Sequence, residues 1–367
     1  MDDLLTGLLR SGGPLHPTDM ADLASTRFSV LDLALVKQDG DLADAFRNSL
    51  DLARHVEKWK YTRFWLAEHH NMAGIGSAAT SVLIGYIAGG TSTLRVGSGG
   101  IMLPNHSPLV IAEHFGTLET LYPGRIDLGV GRAPGSGGAT TRALQRGLDS
   151  GVDDFPRHVQ ELLAYLGPST PGQVLKAIPG EGTNVPVWLL GSSTYSAHLA
   201  AILGLRFAFA SHFAPEHMYE ALYLYRHHFQ PSAWLEKPYA IVGVPLVAAE
   251  TDEKAHHLAT TPYQRFLNLI RGRPIYTSPP VKSMDDLWST RERTLVEEKL
   301  AAAVIGGPET VRRKLTALQQ ATQADEFMFT SDLYEHSDRL RSFEIVAEVM
   351  RTDADVIPRR RIHSLSS

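Results

Sequence analysis

Residues 29–70 read SVLDLALVKQDGDLADAFRNSLDLARHVEKWKYTRFWLAEHH, and the order of patterns inside them decides the fold. Ser29–Val36 is a short apolar run bounded by polar residues, as expected of a buried strand. Asp41–Lys60 then places Leu42, Ala45, Phe46, Leu50, Ala53 and Val56 near one face of a helix. Arg63–Ala67 (RFWLA) is a second strand, and it runs straight into Glu68-His69-His70. Strand, helix, strand is the unit from which parallel sheets are built.

Working outward, the unit recurs. Ala78–Ala88 reads as a helix and Leu94–Ser98 as a third strand, and proline opens a helix over Pro108–Leu121. Ile126–Val130 is a fourth strand, with a glycine-rich loop and a helix at Phe155–Leu166. Val187–Leu190, Phe207–Ala210 and Ala240–Ala248 follow as strands, each trailed by a helix: Ser193–Leu203, Pro215–Phe229 and Asp252–Ile270. Arg271–Leu287, rich in Pro and Ser, reads as an irregular insertion after the seventh strand. Leu295–Val304 and Pro308–Ala321 are expected as helices, Glu326–Phe329 as the eighth strand, and Arg339–Met350 as the closing helix. Eight such units predict an α/β fold of the (β/α)₈ TIM-barrel type, carrying a lid after the seventh strand. The barrel is expected over residues 28–350. Residues 1–27 are expected as a loosely attached N-terminal extension, and residues 351–367, with Arg359-Arg360-Arg361, as a solvated C-terminal tail.

Composition narrows the function. The 367 residues are 43% hydrophobic, enough to bury a large core, and 35 basic residues stand against 40 acidic ones for a net charge of -5. That mild acidity offers no general attraction to nucleic acid or to anionic membranes. The chain has no cysteine, which excludes disulfides, thiolate nucleophiles and Cys-ligated metals. No apolar run is long enough to span a bilayer, and the first residues carry aspartates where a secretion signal needs lysines. A cytoplasmic protein is the expectation.

In a parallel barrel, chemistry sits at the C-terminal ends of the strands. Four clusters fall there. Glu68-His69-His70-Asn71 follows the second strand, and a carboxylate beside imidazoles can move a proton near neutral pH. The same residues equally suit a solvated loop, or a metal with His106 or His114, although they lack the i, i+4 spacing of zinc-protease motifs. Gly97-Ser98-Gly99-Gly100 permits close backbone approach to a flat ligand, or merely a tight turn. Arg132, within Gly129–Gly135, can fork onto a phosphate or form a surface ion pair. Gly191-Ser192-Ser193-Thr194-Tyr195-Ser196 opens a helix, where hydroxyls and free N–H groups serve an anion or simply a helix cap. There is no Gly-x-Ser-x-Gly elbow, no Walker loop and no dinucleotide fingerprint. Arg132 with Ser192 and Ser193 proposes one phosphate, opposite the Glu68–His70 group, and so a mononucleotide such as FMN.

Three segments sharpen that reading: AEHHNM (67–72), RVGSGGIMLPNHSPLVIAEHFGTLETLYPGRIDLGVGRAPG (95–135) and LGSSTYSAHLAAILGLRFAFASHF (190–213). They resemble the bacterial luciferase-like, flavin-dependent monooxygenases, and the likeness runs from about Phe28 to Met350. The resemblance implies a barrel, usually dimeric, that takes reduced FMN from a separate reductase and oxygenates a small apolar substrate with dioxygen through a flavin hydroperoxide. It implies that His69 is the active-site, proton-handling histidine with Glu68 as its electrostatic partner. Gly99-Gly100 matches a cis peptide under the flavin ring. Ser98, Gly99, Gly100, Arg132, Gly191, Ser192, Ser193 and Tyr195 become the expected cofactor contacts, Arg132 and the serines on the phosphate. Residues 208–212 are expected to line the pocket, and the insertion to be the lid. No metal is implied. Gly131 stands where light-emitting relatives carry a reactive cysteine, so nothing argues for light emission. A deazaflavin-dependent hydride-transfer enzyme and a flavin-binding protein without turnover are the alternatives.

Overall fold

The computed structural model describes residues 23–133, 138–144 and 154–356. The strands are β1 (Arg27–Asp32), β2 (Arg63–Leu66), β3 (Arg95–Met102), β4 (Ile126–Gly131), β5 (Val187–Gly191), β6 (Arg206–Phe209), β7 (Ala240–Ala248), β8 (Val304–Gly306) and β9 (Glu326–Thr330). The helices up to β7 are α1 (Leu42–Lys58), α2 (Thr80–Gly89), α3 (Pro108–Leu121), α4 (Gly138–Leu144), α5 (Phe155–Leu166), α6 (Thr194–Ile202) and α7 (Met218–His227). After β7 come α8 (Asp252–Ile270), α9 (Thr290–Lys299), α10 (Pro308–Thr322) and α11 (His336–Val356). Capping side chains start two of the helices. Asp41 caps α1 by accepting from the Asp44 N–H, and Ala45, Leu52, Ala53 and Val56 on that helix are buried. Ser289 and Glu292 close a reciprocal capping box on α9.

Strands β1 to β7 pair in chain order and in parallel, and β9 pairs with both β7 and β1 to close the ring. The result is an eight-stranded parallel barrel wrapped by helices. Strand β8 lies outside it, paired to the last three residues of β7 through Leu246–Val304, Val247–Ile305 and Ala248–Gly306. The reading of Leu295–Val304 as helix therefore needs correction at its end: α9 stops at Lys299, and the β-branched pair Val304-Ile305 extends along the overhang of β7. Other bounds shift as well. Strand β1 ends at Asp32 rather than Val36, and β3 continues through the glycines to Met102. Strand β1 begins at Arg27, and the buried Leu23 joins the main core. Residues 1–22, Pro134-Gly135 and Arg359-Arg360-Arg361 lie outside the described residues.

The main core lies between strands and helices. Inside the ring, the N-terminal half is plugged. Trp65 and Trp188 meet edge to face at 5.2 Å, and Leu31, Ile241 and Met328 fill around them. Beneath, Arg63 on β2 is gripped by Asp127 on β4 at 2.6 Å and Glu326 on β9 at 2.7 Å, all three buried. A ring plugged below leaves its open space at the C-terminal ends. Among the described residues no helix is long and apolar enough to cross a membrane.

Candidate functional site

Two adjoining cavities open at the C-terminal ends of the strands, with envelopes of about 980 and 950 Å³. The first is floored by Gly99 and Gly100. Here β3 slips against β4, since Ser98 pairs with Leu128 but Ile101 pairs with Val130, so one extra residue bulges out. The Gly99–Gly100 peptide is cis, as the resemblance implied. Glycine is needed at both positions. A Cβ on Gly99 would lie 2.6 Å from Leu31, and one on Gly100 would lie 2.8 Å from the Gly129 carbonyl oxygen.

One end of this cavity is polar. Arg132, Gly191, Ser192 and Ser193 line it, the serines at the N-terminus of α6. Ser193 occupies the N-cap position, yet its hydroxyl makes no capping bond to the helix. The Arg132 guanidinium lies 4.2 Å from the Tyr195 ring centroid, and no carboxylate pairs with it among the described residues. An arginine fork, two hydroxyls and a helix start form a donor set suited to a phosphate. Tyr195 thus holds Arg132 rather than lining the cavity itself. Ser98 departs further from expectation: it is buried, absent from the lining, and its hydroxyl donates to the Gly129 carbonyl at 2.8 Å.

Glu68, His69 and His70 follow β2, but they do not act as one group. Glu68 is buried; its Oε1 accepts from His70 Nε2 at 2.6 Å and His106 Nε2 at 2.8 Å, and its Oε2 from the Met102 N–H at 3.1 Å. Burial pushes its pKa up, but the bonds from His106, His70 and Met102 outweigh that and hold it below the usual carboxylate range. The ligand atoms of Glu68, His70 and His106 lie within 4.8 Å of one another, a spacing a cation could use. The N–H···O bonds satisfy the same lone pairs without one. The sequence offered His106 and His114 beside this group; His106 joins it, and His114 lies apart, beside Ser81 at 3.3 Å.

His69 makes no hydrogen bond to Glu68; its Nδ1 is buried without a partner. Burial, then the nearby Arg265, pull its pKa down to about 4, against the opposing pull of Glu68. His69 lines both cavities, as does His212, which follows β6. Burial likewise lowers His212 to about 4, against the pull of Asp332, and its Nδ1 also lacks a partner. Ala208, Phe209 and Ala210 line the first cavity as expected, while Ser211 is buried and donates to the Gly243 carbonyl.

The second cavity is apolar. Leu33, Met72, Pro245, Phe266, Leu300 and Ile305 are among its walls, and its only charged lining groups are Arg265 and Asp332, which pair with each other. The segment after α8 closes it: Ile275 comes from the expected insertion, but Leu300, Ala303 and Ile305 lie beyond its expected end. Arg265 and Asp332 escaped the sequence reading because they are far apart in the chain and belong to no motif.

A family model for luciferase-like monooxygenases matches residues 26–325. The uncharacterized protein YvbT of Bacillus subtilis is 59% identical over 329 residues, covering 89% of this chain and 97% of its own. A luciferase-like monooxygenase of Escherichia coli K12 is 53% identical over 322 residues, covering 88% and 96%. The crystal structure of apo-MsnO8 matches with a TM-score of 0.80 at 34% identity, covering 91% of this chain and 100% of that one. The fold alone is shared, at 16% identity and TM-score 0.65, with the oxygenating constituent of a Pseudomonas putida 3,6-diketocamphane monooxygenase in complex with FMN, covering 88% and 97%. An F420-dependent secondary alcohol dehydrogenase shares it at 14% identity and TM-score 0.59, covering 89% and 99%. With the family model spanning most of the chain and a relative at 59% identity, the chain belongs to the luciferase-like monooxygenases.

Proposed function

We propose that the protein is an FMN-dependent monooxygenase that transfers one atom of dioxygen to a small apolar substrate and releases the other as water. The observation that carries this reading is the polar end of the first cavity, Arg132 with Ser192 and Ser193 at the start of α6, facing a glycine floor. One phosphate there and a flat ring over Gly99-Gly100 suit a mononucleotide. When bound, reduced FMN supplies the two electrons that dioxygen needs.

The chain's own groups take the other tasks. Arg132 and the serines hold the phosphate, with Tyr195 fixing the arginine. His69, kept neutral, handles the proton at the reacting centre. Glu68 stays ionised and orients His70 and His106, and its charge acts on His69 through space. The walls from Ile275 to Ile305 keep bulk water away. In this reading the barrel of residues 28–350 works in the cytoplasm as a homodimer and receives reduced FMN from a separate reductase.

The test is anaerobic titration with reduced FMN, then mixing with oxygenated buffer while dioxygen uptake is recorded. Saturable binding and dioxygen uptake are expected, with Arg132→Ala weakening FMN by at least about tenfold. Binding of a reduced deazaflavin, with substrate reduction and no dioxygen uptake, would replace this proposal with hydride transfer. Stoichiometric FMN binding without turnover would leave a carrier.

A further inference from the structure

Glu68, His70 and His106 form the one group of histidine and acidic side chains among the described residues in which three ligand atoms converge within 4.8 Å. The chain brings them from two places. Glu68 and His70 leave the end of β2, and His106 follows a single 3-10 turn, Leu103–Asn105, after β3. Both imidazoles approach the same oxygen by the same nitrogen: Nε2 of His70 lies 2.6 Å, and Nε2 of His106 2.8 Å, from Glu68 Oε1. The carboxylate is held in place, because the Met102 N–H donates to Oε2 at 3.1 Å. Glu68 is buried, while the side chains of His70 and His106 keep 17% and 28% of their surface exposed, so solvent reaches the group along the rings.

Two imidazole nitrogens and one carboxylate oxygen are a donor set for a divalent transition-metal ion such as zinc, whereas magnesium and calcium take oxygen donors. Bonds of about 2.0–2.1 Å at tetrahedral angles put ligand atoms about 3.3 Å apart, so each nitrogen must draw back from Oε1 by about half an ångström. Rotation of two partly exposed rings supplies that. The proton account also closes. Each neutral ring moves its proton from Nε2 to Nδ1, the carboxylate binds in its ordinary ionised form, and no proton is lost. Hydrogen bonds and a metal ion thus compete for the same three atoms. For a buried carboxylate, a dication is a stronger partner than two neutral N–H donors. Three protein ligands leave a fourth position for water, the pattern of exchangeable rather than structural zinc.

We propose that Glu68, His70 and His106 bind a divalent transition-metal ion of the zinc type through Oε1 and the two Nε2 atoms, with water in the fourth position. Glu68 also lines the first cavity, whereas neither histidine does, so an occupied site turns that stretch of wall from negative to net positive. The site stands whichever cofactor the cavity takes.

The experiment takes the full-length protein, dialysed against a chelator and then into metal-free buffer at pH 7.5, and titrates it with Zn²⁺ in competition with a chromophoric chelator. One tight equivalent is expected. The chain has 16 histidines, so variants separate this site from weak surface binding. His106→Gln keeps an N–H donor for Glu68 but has no imidazole nitrogen to give, and should weaken the tight equivalent at least about tenfold. His198→Ala, which breaks an exposed imidazole pair with His228 at 5.3 Å between ring centroids, should leave it unchanged. His106→Cys introduces the sole thiol of the chain. Loaded with Co²⁺, it should show thiolate-to-metal charge transfer in the near ultraviolet, the signature of a ligand at position 106. Zn²⁺ binding by His106→Gln within about threefold of the parent overturns the proposal. So does a parent without a tight equivalent, a tight equivalent lost in His198→Ala, or His106→Cys with Co²⁺ and no charge-transfer band.

Discussion

His69 and His212 are two imidazoles kept from protonation by their surroundings, and that has a cost readable in stability. In an unfolded chain each would accept a proton below about pH 6.5. In the folded protein each refuses one until about pH 4. Below pH 6.5 the unfolded state therefore binds more protons, so stability is full above that pH and falls as pH drops toward 4. Each histidine contributes on the order of 2 kcal/mol to this loss, after discounting for cavity water around the ring. Urea midpoints measured from pH 7.5 to 4.5 should fall less steeply for His212→Gln than for the parent. Equal slopes would mean that His212 titrates normally. The sequence marked His69 because it sits in a dense motif beside Glu68. It left the burial of each Nδ1 unread, since that depends on distant strands.

Among the elements, those with a strong local signal were legible to the residue. Pro108–Leu121, Phe155–Leu166, Ala240–Ala248 and Asp252–Ile270 have the expected bounds, because proline at a helix start or an apolar run between polar residues acts locally. What escaped depends on pairing. Val304–Gly306 is a strand only because β7 overhangs the ring, and β3 runs on through Gly99-Gly100 only because β4 tolerates the slip. Of the site, the meeting of Arg132 with Ser192 and Ser193 at one end of a cavity was readable, whereas Ser98 turned inward to a backbone carbonyl that no pattern revealed. The segment between α8 and β8 is pinned at its start by Arg271, which grips Glu292 at 2.7 Å and the Leu287 carbonyl at 2.9 Å. Removing this tie frees the segment's start, so Arg271→Ala should speed amide hydrogen exchange over residues 272–303 about fivefold. Exchange in β1 to β7 should not change. Faster exchange throughout would show that Arg271 supports the whole barrel rather than this wall.

At the scale of the molecule, the plug below the site joins strands that are far apart in sequence. Arg63 bridges β2, β4 and β9, and its guanidinium lies 4.7 Å from the Trp188 ring centroid on β5. Burial alone would disfavour its charge, but Asp127 and Glu326 overcome that and hold it protonated. Arg63→Ala would leave the buried Glu326 without its cation, while Asp127 keeps Arg95 at 2.6 Å, a loss of about 3–5 kcal/mol that chemical denaturation would register. A loss below 1 kcal/mol would show that water fills the gap.

The overhang of β7 has a different kind of consequence. The eight-stranded ring and the polar end of the first cavity are complete without β8, and the second cavity's far wall reaches the barrel through the three residue pairs of that overhang, with α8 and α10 packed beside it. Six residues line both cavities, but Leu300, Ala303 and Ile305 touch the second alone. Descent with modification can rewrite that wall as a cassette while leaving the first cavity intact, and a single scaffold can serve many chemistries by exchanging one panel.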